Sequence, residues 1–192
     1  PVPRWALFRS VDEFKEQVKK IGFPCIVKPT DSAGSRGISV LKADSAGIEH
    51  AARHALTFSK LGKGIVERYF QGAEYTIETF SQNSECYILA ITEKKKVPGT
   101  SETVANELRT VSSSAKEYET LTQVTRLALN SLGLFNGPAH TEVILSSNQS
   151  IIVVETAARG GGFNVFDRMI PAVTGFDIAK ATADISIGRT VR

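Results

Sequence analysis

The stretch Ile151-Ile-Val-Val-Glu-Thr-Ala-Ala-Arg-Gly-Gly-Gly162 is an apolar, β-branched run that carries Glu155 and Arg159 to three consecutive glycines. A run of this composition bounded by glycine reads as a strand. A shorter run, Ala139-His-Thr-Glu-Val-Ile-Leu145, precedes it, and the intervening Ser-Ser-Asn-Gln-Ser is made of turn formers, so the two strands form a hairpin. With Asn148 and Gln149 as a two-residue turn, Glu142 falls directly opposite Glu155, and a four-residue turn leaves both on one face. Carboxylates at cross-strand distance repel each other unless a cation lies between them. Magnesium satisfies this requirement, because it is usually held by one or two carboxylates and completes its shell with water and phosphate oxygens. A pair of solvated strand carboxylates, or one carboxylate paired with Arg159, is the alternative at this point.

The rest of the chain sets limits on the partner. Its 192 residues are 42% hydrophobic and 22% charged, ordinary globular usage with enough chain to bury a core in one domain or two small lobes. A formal net charge of +3, with Lys94-Lys95-Lys96 as the one basic run, argues against a nucleic-acid partner; the run reads as a solvated loop. No apolar run approaches the roughly 20 residues of a membrane span, and no signal-peptide pattern opens the chain. Cys25 and Cys86 sit in apolar runs without metal or redox spacing, as buried free thiols of a reducing cytosol would. A cytoplasmic location is therefore expected. The first residue is Pro1 and not methionine, which reads as a piece of a longer protein.

In chain order, Ser10-Val-Asp-Glu13 is a capping box, and Val11, Phe14, Val18 and Ile21 follow at helical spacing up to Gly22. Phe23 to Lys28 is a strand closed by Pro29. Ile38 to Leu41 is a second strand, and Asp44 caps a helix whose stripe is Ile48, Ala51, Ala52, Ala55 and Leu56, ending near Leu61 and Gly62. Residues 1–63 thus form one small α+β lobe. A second lobe, 64–192, opens with the strand Ile65 to Phe70 and continues with a strictly alternating strand, Ala73 to Phe80, and a third strand, Cys86 to Thr92. Residues 93–113 show no period and read as a loop near the site. Ser114-Ala-Lys-Glu117 then caps a helix bearing Tyr118, Leu121, Val124, Ala128 and Leu132, and Thr174 with Asp177 boxes a last helix.

Two further stretches suggest nucleotide contacts. Asp31-Ser-Ala-Gly-Ser-Arg-Gly37 is rich in small residues whose amides can approach an anion, with Lys28 before it and Arg36 within it. It lacks the Gly-Lys-Ser/Thr ending of a Walker loop and runs into a strand. A flexible hairpin loop is its plain alternative. The connector Val66-Glu-Arg-Tyr-Phe-Gln-Gly-Ala-Glu74 could pair an extended backbone with an adenine edge. Glu67 could then accept from the exocyclic amine and Glu74 from ribose hydroxyls.

Lys28 with its glycine loop, the Glu67 to Glu74 connector, the Glu142/Glu155 pair and Arg159 before the glycines stand in the order found in ATP-grasp domains. From Pro3 to about Gly188 the chain resembles the carboxylate-amine ligases of that superfamily, on the side of the L-amino-acid ligases, carbamoyl-phosphate synthetase and biotin carboxylase. The resemblance implies an α+β fold of two lobes with mainly antiparallel sheets gripping ATP between them. It implies that Lys28 contacts the ATP phosphates and that the loop Ser32, Gly34, Ser35, Arg36, Gly37 closes over them. Glu67 and the backbone of Tyr69 and Phe70 would hold adenine, Glu74 the ribose, and His140 would point at the phosphate end. Glu142 and Glu155 would bind magnesium, or manganese in its place, and Arg159 with Lys28 would neutralise the transferring phosphoryl group. The implied reaction is attack of a small-molecule carboxylate on the γ-phosphate, giving ADP and an acyl phosphate, then attack by an amine or a thiol. Two anions approach in that step, so the catalyst needs cations more than a base.

The chain departs from the pattern in two places. The metal strand of the family reads Glu-x-Asn-x-Arg, and here Ala157 occupies the asparagine position, so a ligand for a second metal is missing. The pre-ATP-grasp domain and first phosphate-contacting lysine of the family are also missing upstream, so the isolated piece is expected to be inactive as a ligase. Two functions are thus set against each other: an ADP-forming ligase domain, and a regulatory or degenerate nucleotide-binding module without turnover. The variable 93–113 loop, with Glu107 and Arg109, and the segment Phe163 to Arg168 are candidates for the acceptor pocket.

Overall fold

The computed structural model describes residues 1–43, 47–96, 105–147 and 150–191. The expected cap at Asp44, the Pro98-Gly99 portion of the expected loop and the Asn148-Gln149 turn lie outside these residues. The chain separates into two compact units, with the main boundary between Gln71 and Gly72.

The first unit is a four-stranded antiparallel sheet under two helices. Its strands are β1 (Trp5–Phe8), β2 (Cys25–Pro29), β3 (Ser39–Leu41) and β4 (Gly64–Arg68), in the order β1-β4-β2-β3. Helix α1 (Val11–Ile21) starts as the capping box predicts: Ser10 Oγ accepts the Glu13 amide at 3.1 Å, and the Glu13 carboxylate accepts the Arg9 amide at 2.7 Å. Helix α2 spans Ile48–Phe58 and ends before the expected Leu61-Gly62. Phe14, Val18 and Ile21 of α1 and the alanines of α2 cover Phe8, Cys25, Val27 and Val66. The sequence grouped β4 with the residues after it, but β4 pairs with both β1 and β2 and is central here. β1 is too short, and Trp5 and Leu7 on it too exposed, to be read as a strand from pattern alone.

The second unit is a five-stranded antiparallel sheet with helices on both faces. Its strands are β5 (Gly72–Gln82), β6 (Glu85–Lys96), β7 (Ala105–Thr110), β8 (Gly137–Ser146) and β9 (Ile151–Ala157), in the order β7-β6-β5-β8-β9. Helix α3 (Tyr118–Ser131) covers Tyr75, Ile77, Ile91, Val143 and Ile151 on one face. A π-helical turn (Val165–Met169), α4 (Ile170–Thr174) and α5 (Ile178–Ser186) pack on Phe80 on the other.

Residues 93–96 and 105–110 are strand, not loop; the charges at Glu93 to Lys96 mask the strand pattern, with Lys94 paired across the sheet to Glu142 and Lys95 paired to Glu93 on its own strand. The Ser114 box does not form; α3 is preceded by Glu117 without a side-chain cap, and Ser114 donates its amide to Ser112. Asp177 does cap α5, at 2.9 Å from the Lys180 amide, while Thr174 closes α4. Both cysteines are free; Cys25 is buried, and Cys86 is only half-buried. No helix among the described residues is long and apolar enough to cross a membrane.

Candidate functional site

Register decides which side chains of the second unit meet. Glu142 does lie directly opposite Glu155 in the β8–β9 ladder, and His140 lies opposite Ala157. The ladder reaches this register differently from a two-residue turn. Nearer the turn Leu145 faces Ile151 and Val143 faces Val153, and a bulge at Val154 shifts the count by one before Glu155. Strict alternation would place Glu155 on the α3 face with Ile151 and Val153; the bulge moves it to the face of Ile152 and Glu142.

On that face β8 also pairs with β5, so His140 stands opposite Glu78 and Glu142 opposite Thr76, while Glu74 faces Lys94 of β6. Glu74, Glu78, Lys94, His140, Glu142 and Glu155 therefore share one side of the sheet. Four of the six were expected from sequence. Glu78 and Lys94 were not, although the alternation of β5 already puts Glu78 beside Glu74, and continuing the period of β6 past Thr92 reaches Lys94.

The side chains form a chain of charge. Glu78, 2% exposed, pairs with Nδ1 of His140; Nε2 of His140 lies 3.2 Å from Oε1 of Glu142, which also accepts from Lys94 Nζ at 2.7 Å. Lys94 is thus an ion-pair partner with a 17% exposed side chain, not part of a solvated loop. Burial opposes the charged imidazolium of His140, but its bonds to Glu142 and Glu78 outweigh this and raise it to about 9. Burial likewise opposes the Glu142 carboxylate, and His140 and Lys94 override it, holding the carboxyl down at about 2. Glu155 is exposed on its strand.

Beyond β9, Arg159 is exposed and donates Nη1 to the Gly160 carbonyl at 2.9 Å. It lies on the wall of an open pocket of about 1010 Å³, together with Gln82, Asn136, Gly161, Phe166 and Arg189. Among the acceptor candidates, Arg109 pairs with Glu107 at 3.1 Å on the surface, and Phe163 is 95% exposed.

In the first unit, β2 and β4 bring Lys28 and the buried Glu67 into an ion pair. The loop after β2 is tied at its base, where the Asp31 carboxylate accepts from Ser59 Oγ at 2.6 Å and the Leu61 amide at 2.9 Å. Above that base Gly34, Ser35 and Gly37 take left-handed φ of 67°, 58° and 75°, and Arg36 Nε bonds the Ala33 carbonyl at 3.1 Å. A Cβ at Gly37 would sit 2.7 Å from Pro29 Cγ, so this turn requires glycine. The Tyr69 amide, expected at adenine, is committed to the Pro24 carbonyl at 3.0 Å. Phe70 follows β4 and is half-buried.

Among the described residues no group of three or more His, Cys, Asp or Glu gathers round a metal position. The opposed Glu142 and Glu155 are nevertheless a donor set that magnesium accepts when phosphate oxygens complete its shell. The Ala157 methyl opposite His140 supplies no third ligand.

A family model described as an ATP-grasp domain matches residues 21–167. Alanine–anticapsin ligase of Bacillus subtilis is 27% identical over 199 residues, covering 92% of this chain and 41% of that protein. Among solved structures, L-amino acid ligase from Bacillus licheniformis superimposes with a TM-score of 0.77 at 23% identity, over 95% of this chain and 42% of its own. A biotin carboxylase complex from Campylobacter jejuni also gives 0.77, at 18% identity, over 100% of this chain and 44% of its own. The chain spans about two-fifths of the length of these proteins.

Proposed function

Because the chain belongs to the ATP-grasp domain family, we propose that it is the nucleotide-binding part of an ADP-forming ligase joining a small-molecule carboxylate to an amine or a thiol. The observation that carries this reading is the register that sets Glu142 against Glu155, with Arg159 just beyond the same strand. Glu142 and Glu155 would hold one magnesium ion, or manganese, and the ion would supply charge neutralisation at phosphate oxygens. Lys94 and His140 keep Glu142 ionised, so its carboxylate would be available to a metal across the neutral range. Arg159, which lines an open pocket, would neutralise an anion, either the transferring phosphoryl group or the acyl phosphate that follows.

In the first unit, Lys28 contributes a cation that Glu67 orients, and the glycine turn above Asp31 contributes backbone donors for phosphate. In this reading Glu67 would accept from the adenine amine, and Glu74 would accept from ribose hydroxyls. The chemistry is positioning and neutralisation: a carboxylate oxygen attacks the γ-phosphorus, the bond to the β-γ bridging oxygen breaks, and ADP leaves with that oxygen. Acyl phosphate then yields to the nucleophile with release of phosphate.

A second reading is favoured by Ala157 alone: a nucleotide-binding module without turnover. Product analysis separates the two. The protein carrying this chain, given ATP, magnesium and a panel of carboxylates with amines or thiols, is expected to release ADP and phosphate only with its substrates, and Glu155→Ala to stop release. Magnesium-dependent binding with no turnover across the panel supports the module; AMP and pyrophosphate as products contradict both.

A further inference from the structure

Glu78 is a buried carboxylate that the proposed phosphate chemistry does not use. A carboxylate 2% exposed is costly unless its oxygens are satisfied, and here they are, by two different segments. Oε1 pairs with the His140 imidazole on β8, and Oε2 accepts the Gly161 amide, beyond β9, at 3.0 Å. The fit is close: a Cβ at Gly161 would overlap Glu78 Oε1 and sit 3.0 Å from His140 Nδ1.

The amide that Glu78 holds belongs to the Gly160–Gly161 peptide. The carbonyl of that same peptide accepts Arg159 Nη1 at 2.9 Å. A peptide unit is planar, so fixing its N–H fixes the direction of its C=O. Three glycines in a row have little stiffness of their own, and the order must come from such contacts. We propose that Glu78 is a positioning residue: through the Gly160–Gly161 peptide it aims the Arg159 guanidinium. The role assigned to Arg159 rests on the ligase reading; the mechanical link from Glu78 to Arg159 does not.

The test is a double-mutant cycle read by calorimetry with the magnesium complex of a non-hydrolysable ATP analogue. Glu78→Ala is expected to weaken binding about tenfold in the native background and to have no further effect in an Arg159→Ala background. Glu78→Gln, whose amide oxygen can still accept the Gly161 N–H, is expected to stay near native affinity. An equal loss in both backgrounds, or no loss in either, overturns the proposal. Should Glu78→Ala fail to fold, Gly161→Ala displaces the turn from the other side and is expected to show the same dependence on Arg159. Hydrogen exchange at the Gly161 amide is the readout independent of nucleotide: protection is lost in Glu78→Ala and kept in Glu78→Gln. Unchanged protection in Glu78→Ala defeats the positioning role, whereas a native protein that binds no analogue defeats the ligase reading alone.

Discussion

Glu142 accepts from two cations, Lys94 and His140, and the imidazole is itself held by Glu78. The cluster makes stability depend on pH with a defined sign. His140 is raised from 6.5 to about 9, so its contribution is complete below pH 6.5 and is lost as pH rises towards 9. Glu142 is lowered from 4.5 to about 2, so its contribution is complete above pH 4.5 and fades as pH falls towards 2. In metal-free buffer the melting temperature should therefore be highest between about pH 4.5 and 6.5. Between pH 6.5 and 9 a loss on the order of 3 kcal/mol is expected by linkage, and His140→Gln should flatten that limb in thermal scans. His140 and Glu142 were legible as candidates because both sit on a strand with a clear alternation. Glu78 and Lys94 were not, because their importance comes from partners 62 and 48 residues away, which no local pattern encodes.

Helices with local signals are legible in the sequence, although the Ser114 box does not form, whereas strands fixed by distant pairing are legible only in part. The Ser10 box does form, and Ser10→Ala should cost about 1 kcal/mol in chemical denaturation, since it strips the acceptor from the Glu13 amide. The sequence shows β6 only as far as Thr92 and hides β7, where charge masks alternation, and it hides β1, a four-residue strand with an exposed tryptophan. The hairpin of β8 and β9 gives the sharper lesson. The facing of Glu142 and Glu155 was expected, but it depends on a bulge at Val154 that turn residues alone do not announce. Gly72 opens β5 where a Cβ would run into the backbone of Leu145 and Ser146 on β8. Gly72→Ala is expected to destabilise by about 2 kcal/mol in a urea melt, because backbone, not a flexible side chain, must give way.

Among the described residues two sheets, each with helices packed on it, organise the fold, and the family match spans residues 21–167. That much of the architecture follows from motif order, whereas the division of strands between the sheets needed the pairing of β4 with β1 and β2. ATP-dependent ligation by this chain requires that the carboxylate of Glu155, opposite Glu142, carry a metal and its nucleotide. Calorimetric titration of the magnesium complex of a non-hydrolysable ATP analogue into the native protein and Glu155→Ala tests this directly. Binding that needs magnesium, disappears with EDTA and weakens at least about tenfold in Glu155→Ala is predicted. Equal affinity in the two proteins, or native binding indifferent to EDTA, would contradict it.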